Sequence, residues 1–128
     1  VEFLDETADN IDQVMKEYAD QKPYIAEVTP AVGSTVMSDA LPSEVVVRFS
    51  EPMSMNGYGM NWIQRHGIEH IPIEGSLRWQ DEYTLVIPLD TAALEPGKTY
   101  GANLLGWAFR SQKGFPVSGY YEVYFTVR

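Results

Sequence analysis

Leu94-Glu95-Pro96-Gly97-Lys98-Thr99-Tyr100 places a Leu, a Pro-Gly turn and a Tyr immediately ahead of a strand-like run. Proline presets φ and glycine accepts the positive φ that can follow, so the pair specifies a tight turn. In antiparallel sandwiches a Tyr at such a corner packs inward, and its hydroxyl bonds backbone a few residues upstream. The other reading is a Tyr that merely begins a strand on a surface turn. The sequence on both sides of the corner bears on that choice.

After the corner, residues 98–105 read as a strand. Residues 120–127 alternate, with Tyr121, Val123, Phe125 and Val127 on an inward face and Tyr120, Glu122 and Tyr124 facing out. Before it, residues 83–89 alternate, preceded by a turn at Gln80-Asp81-Glu82 and a strand over 77–79. Residues 44–50 put Val45, Val47 and Phe49 on one face and Val46, Arg48 and Ser50 on the other. Residues 24–29 form a first strand, and 60–64 and 68–73 are weaker ones. Pro30, Gly33, Asp39 and Pro42 punctuate the loop that follows the first strand. Seven or eight short strands with turn signals every 8–12 residues predict an all-β antiparallel β-sandwich. Helical patterns do not alternate with the strands, which argues against a parallel α/β sheet.

Ahead of this pattern, residues 4–21 change period. Leu4, Ile11, Val14, Met15 and Tyr18 fall on one narrow helical stripe, with Asp5 as N-cap and Lys22-Pro23 as the stop. The expected organisation is therefore an acidic amphipathic helix or linker over residues 1–23 and a sandwich domain over 24–128. One stripe cannot hold such a helix in water alone. It must pack on the sandwich, on a neighbouring domain or on a second copy, which makes a homodimer through the helix one expectation.

The chain of 128 residues suits one domain, and 45% apolar with 21% charged residues is a globular composition. The net charge of −9 repels phosphate backbones, so nucleic acid is not an expected partner. Seven acids against two lysines put −5 of that charge in the first 22 residues. The absence of cysteine removes disulfides, thiolate metal sites and cysteine nucleophiles together. No apolar run is long enough to cross a bilayer, and the opening VEFLDET carries neither part of a signal peptide.

Several separated motifs occur in order: VTPAVGSTV (28–36), LPSEVVVRFSEPMS (41–54), TLVIPL (84–89), LEPGKTY (94–100) and GYYEVYFTVR (119–128). Together they resemble the bacterial immunoglobulin-like (Ig-like) domain found in surface-layer and other exported, multidomain bacterial proteins. The resemblance covers about residues 24–128. It implies an Ig-like β-sandwich, an extracytoplasmic setting (secreted, periplasmic or cell surface) and a non-enzymatic accessory role. The segment NLLGWAFRSQKGFP (103–116) resembles a subgroup that often sits beside a hydrolase or peptidase domain. The family has no shared catalytic or binding motif to carry over.

Candidate chemistry is sparse. His66 and His70 are four apart, but Gly67, Pro72 and Gly75 break any helix, and on a strand the rings stand about 13 Å apart. They read as solvent-facing, and no cofactor or metal is expected. Glu51, Asp81, Glu82 and Asp90 could attract calcium only if brought together, and no Asp-x-Asp-x-Asp-Gly loop exists. No nucleophile elbow or phosphate loop is present, so a small hydrolase is only a minor alternative. The Met53, Met55 and Met60 cluster reads as packing under a loop, and Trp79 as a core plug.

Aromatic residues crowd the second half. Trp62, Trp107 and Phe109, with Tyr58, are candidates for a contact face on end loops, where sandwiches carry binding groups. Arg65, Asn103 and Arg110 would add polar specificity toward a protein domain, a peptide or a carbohydrate. The competing reading is that these rings close the end of the core or seat the N-terminal helix. The sequence thus predicts a binding or spacer module, with structural self-association through the helix as the alternative.

Overall fold

The computed structural model describes Lys16, residues 22–63 and residues 65–128. The expected N-terminal helix, and with it the proposed dimer contact, lies outside the described residues except for Lys16, which is exposed.

The described chain is mainly β. Nine strands run in order: β1 (Ile25–Thr29), β2 (Ser34–Val36), β3 (Glu44–Phe49), β4 (Met60–Asn61), β5 (Ile68–His70), β6 (Arg78–Asp81), β7 (Thr84–Pro88), β8 (Thr99–Leu105) and β9 (Tyr120–Val127). Two 3-10 turns, Thr91–Ala93 and Gly106–Ala108, flank β8. The first sheet has the order β1-β3-β7-β6. The second has β2-β9-β8-β4, with β5 on the same edge of β8 as β4.

Alternation drives the assembly. Val45, Val47 and Phe49 of β3 and Leu85 and Ile87 of β7 point from the first sheet into one core. Tyr100, Ala102 and Leu104 of β8 and Val123, Phe125 and Val127 of β9 meet them from the second. Each fully buried aliphatic side chain contributes roughly 1.5–3 kcal/mol. On the outer side of the first sheet, an Arg78–Glu44 ion pair at 3.1 Å spans from β6 to β3 across β7.

Three features depart from the sequence reading. The Pro30–Pro42 loop contains β2, which pairs in parallel with β9. Three residues are too few to display a period of two. Gly33, at φ 77°, sets up that pairing by donating its N–H to Tyr124 O at 2.8 Å. The pairing of β5 with β8 is also parallel, so the sheets are mainly rather than wholly antiparallel. Finally, the expected turn at 80–82 lies later. β6 runs to Asp81 through a register irregularity, and Asp81 Oδ1 accepts from Tyr83 N at 2.8 Å to close the turn.

The corner forms as the sequence indicates. Tyr100 is buried at the start of β8. Its hydroxyl accepts from Glu95 N at 2.9 Å and donates to Ala93 O at 3.3 Å. Outside, Lys98 pairs with both Glu95 and Glu69, tying the corner to β5. Those contacts lower the Glu95 pKa and raise that of Lys98.

Candidate functional site

The outer face of the second sheet carries an ordered array of side chains. Asn61 of β4 lies opposite Asn103 of β8, which lies opposite Glu122 of β9. Three strands thereby bring two carboxamides and a carboxylate into one row. One rung further, Leu105 faces Tyr120. On the other side of the row, Gly101 faces Tyr124. The missing side chain at Gly101 leaves room for Ile63, which is buried there although it lies outside the main core.

Ile63 matters for its neighbour. With Ile63 pinned to the sheet, Trp62 stands at the β4 edge with 63% of its surface exposed. Its N–H is held by Asn61 Oδ1 at 2.8 Å. Its ring stacks on His70 of β5, with centroids 4.6 Å apart and planes at 19°. An exposed Trp held at both backbone and ring is pre-positioned rather than free to turn. Tyr120, 68% exposed, lies on the far side of the row.

Asn61, Trp62, Ile63, Asn103, Leu105, Tyr120 and Glu122 line an open depression of about 360 Å³. Arg65 closes one flank. It pairs with Glu122 at 3.2 Å and lies 5.3 Å above the Tyr124 ring. Two polar atoms at the site lack a partner among the described residues: Asn103 Oδ1 and His70 Nδ1, both covered. Burial lowers the His70 pKa from its ordinary value, which favours the neutral ring in the stack.

The structure thus brings Trp62, Arg65 and Asn103 together. Tyr58 and Trp107, 44% and 64% exposed, belong to the adjoining end of the sheet. They flank the rungs formed by Gly59 O with Leu105 N and by Gly119 O with Gly106 N. Phe109 does not belong to this surface. It is 1% exposed, and its ring packs 5.5 Å from Phe49 and 6.3 Å from Trp79. Arg110 is exposed and does not line the depression, and it braces its own loop by donating to Gly114 O at 3.2 Å. Phe109 is therefore corrected out of the contact face. The 3-10 turn accounts for this, because it leaves Trp107 outside while the chain re-enters the core two residues later.

Asn61, Ile63, His70, Leu105, Tyr120 and Glu122 enter the site without having been named for it. Tyr120 and Glu122 were legible as outward residues of the last strand. The others needed the cross-strand register, which no local pattern supplies.

The remaining candidates separate. His66 is exposed in a turn, whereas His70 is partly covered rather than solvent-facing. Asp81 closes the β6–β7 turn, and that hydrogen bond lowers its pKa. Glu82 accepts from Gln112 Nε2 at 3.0 Å. Among the described residues, no group of three or more His, Asp or Glu side chains is placed to hold a metal ion. Met53 is in the core and Met55 is exposed. Trp79 packs against the core and donates Nε1–H to Gly57 O at 3.0 Å. A smaller depression of about 210 Å³ on the first sheet, between Glu27, Arg48 and Asp81, has no aromatic lining residue. No helix among the described residues is long and apolar enough to cross a membrane.

No family model matches the chain, and no curated protein matches it.

Proposed function

We propose that the chain is a non-catalytic Ig-like binding module of an exported bacterial protein, and that it holds its ligand on the outer face of the second sheet. The strand orders β1-β3-β7-β6 and β2-β9-β8-β4 support the Ig-like reading, because they match the two sheets of that fold with a short first-strand extension added to the second. The Tyr100 hydroxyl, bonded to backbone five and seven residues upstream, supports it further. The extracytoplasmic setting and a place beside a hydrolase or peptidase domain rest on the sequence resemblance.

The observation that carries the binding reading is Trp62. A large aromatic side chain is exposed yet fixed, beside a depression and a row of amides. The stack fixes the orientation of the indole while leaving most of it open to solvent, and a ligand-contact ring gains affinity from being ordered in advance.

The test is an array of immobilised glycans and peptides probed with the chain, with Trp62→Ala, and with Tyr24→Ala. Tyr24 is equally exposed but lies beside the first sheet. Capture that disappears in Trp62→Ala and persists in Tyr24→Ala is the expected result. The reading fails if no immobilised glycan or peptide is captured in a Trp62-dependent way.

A further inference from the structure

We infer that the depression is a subsite for one neutral pyranose unit of an oligosaccharide, an inference that rests on the binding reading above. Four features of the site point to this chemistry over a peptide.

The first is the aromatic framing. Trp62 from the β4 edge and Tyr120 from β9 stand on either side of β8. Flat rings suit the C–H faces of a sugar ring, which are apolar while its rim is polar. The second is the row Asn61–Asn103–Glu122. Neighbouring strands are about 4.8 Å apart, so the row spaces its hydrogen-bonding groups on the scale of one pyranose ring. Carboxamides both donate and accept, as adjacent sugar hydroxyls do.

Third, the sheet edge is poorly suited to an added peptide strand. β4 has only two residues, and the next amide, Trp62 N, is already taken by Asn61 Oδ1. Strand addition depends on a run of free main-chain groups. Fourth, the electrostatics favour an uncharged ligand. The one carboxylate in the row is paired with Arg65, and the chain's net charge of −9 disfavours anionic polymers.

Asn103 supplies the specificity element. Its Oδ1 has no partner among the described residues although the residue lines the depression. The terminal amide torsion is soft, so a small rotation turns that oxygen toward a ligand hydroxyl. Binding then gives that oxygen a donor, and a ligand without one at that point forgoes the gain.

The experiment is calorimetric titration of the full chain with neutral hexasaccharides of glucose, xylose, mannose and N-acetylglucosamine, and in parallel with uncharged peptides of similar length. At least one saccharide should bind. Trp62→Ala should weaken it by roughly 30-fold or more, and Asn103→Ala by about tenfold. Trp62→Phe, which keeps a flat ring, should recover part of the loss. Circular dichroism on each variant confirms that the fold is kept. Trp62-dependent binding of a peptide and of no saccharide overturns the sugar assignment while leaving the binding reading intact. Failure of every probe to bind in a Trp62-dependent way overturns both.

Discussion

Trp62 and His70 stack with centroids 4.6 Å apart and planes 19° from parallel, joining the end of β4 to β5 across the edge of β8. The two residues are eight apart in sequence. They meet because β4 runs antiparallel and β5 parallel to the same strand. The stack converts an exposed indole into an oriented surface, and it couples that surface to a titratable ring.

The coupling predicts a pH dependence. Burial holds the His70 pKa below its ordinary value of 6.5. As pH falls, the unfolded chain takes up this proton first, so the neutral ring's contribution to stability is complete above 6.5. It is lost as pH falls through the lowered folded-state value, below which both states are protonated and no further loss accrues. Thermal unfolding of wild type and His70→Phe between pH 7.5 and pH 4.5 isolates the effect (about three units spanning the ordinary histidine range). The wild type should lose stability relative to His70→Phe on acidification. Tryptophan emission should show a step with its midpoint below 6.5 that His70→Phe lacks. A midpoint at or above 6.5 contradicts the assignment.

Tyr100→Phe tests the corner. The ring stays in the core, but the Glu95 N–H loses its acceptor and Ala93 O its donor. The expected destabilisation is about 1–3 kcal/mol in urea unfolding, with an unchanged m-value. Ligand binding at Trp62 should be unaffected, since the Tyr100 side chain lies in the core, on the opposite face of the sheet from the site. A change under about 0.3 kcal/mol would mean that the hydroxyl contributes nothing to the turn.

Trp107 and Phe109 are two residues apart and should respond oppositely to truncation. Phe109→Ala opens a cavity between Phe49 and Trp79 and should lower stability by about 3–5 kcal/mol. Trp107→Ala removes an exposed ring and should change stability by no more than about 0.5 kcal/mol. Chemical denaturation of the two variants side by side decides this. Equal losses would contradict the inside–outside division at the Gly106–Ala108 turn.

That pair also shows where the sequence was legible and where it was not. Strands with enough length to display alternation, β3, β7, β8 and β9, were readable because burial on one face imposes a period of two. The Leu94–Tyr100 corner was readable because its turn chemistry is local. β2 was hidden by its three-residue length and by a partner in the last strand, far away in sequence. At the candidate site, Trp62, Arg65 and Asn103 were identifiable by residue type. The row that organises them depends on the register of β4, β8 and β9, a long-range property. Phe109 was misassigned because a short 3-10 turn alternates neither like a strand nor, over three residues, like a helix.

Gly101 gives the sharpest link between that register and the site. A Cβ there would lie 2.7 Å from Ile63 Cδ1, 2.8 Å from Val123 O and 2.9 Å from Tyr124 Cβ. The Ile63 methyl can swing aside, but the other two atoms belong to the paired strand β9 and cannot move without opening the ladder. Gly101→Ala should therefore destabilise the chain by about 1–3 kcal/mol through overpacking. The strain should also travel one residue, because Ile63 is the anchor that sets the position of Trp62. Loss of the His70-dependent step in Trp62 emission, together with weaker ligand binding, is the expected result in Gly101→Ala. The companion variant Ile63→Ala, with Gly101 kept, removes the anchor without straining the β8–β9 ladder and should by itself weaken binding and abolish the emission step. If Gly101→Ala alone retains both the emission step and wild-type stability, then Ile63 does not position the tryptophan, and the ordering of Trp62 must rest on the Asn61 and His70 contacts alone.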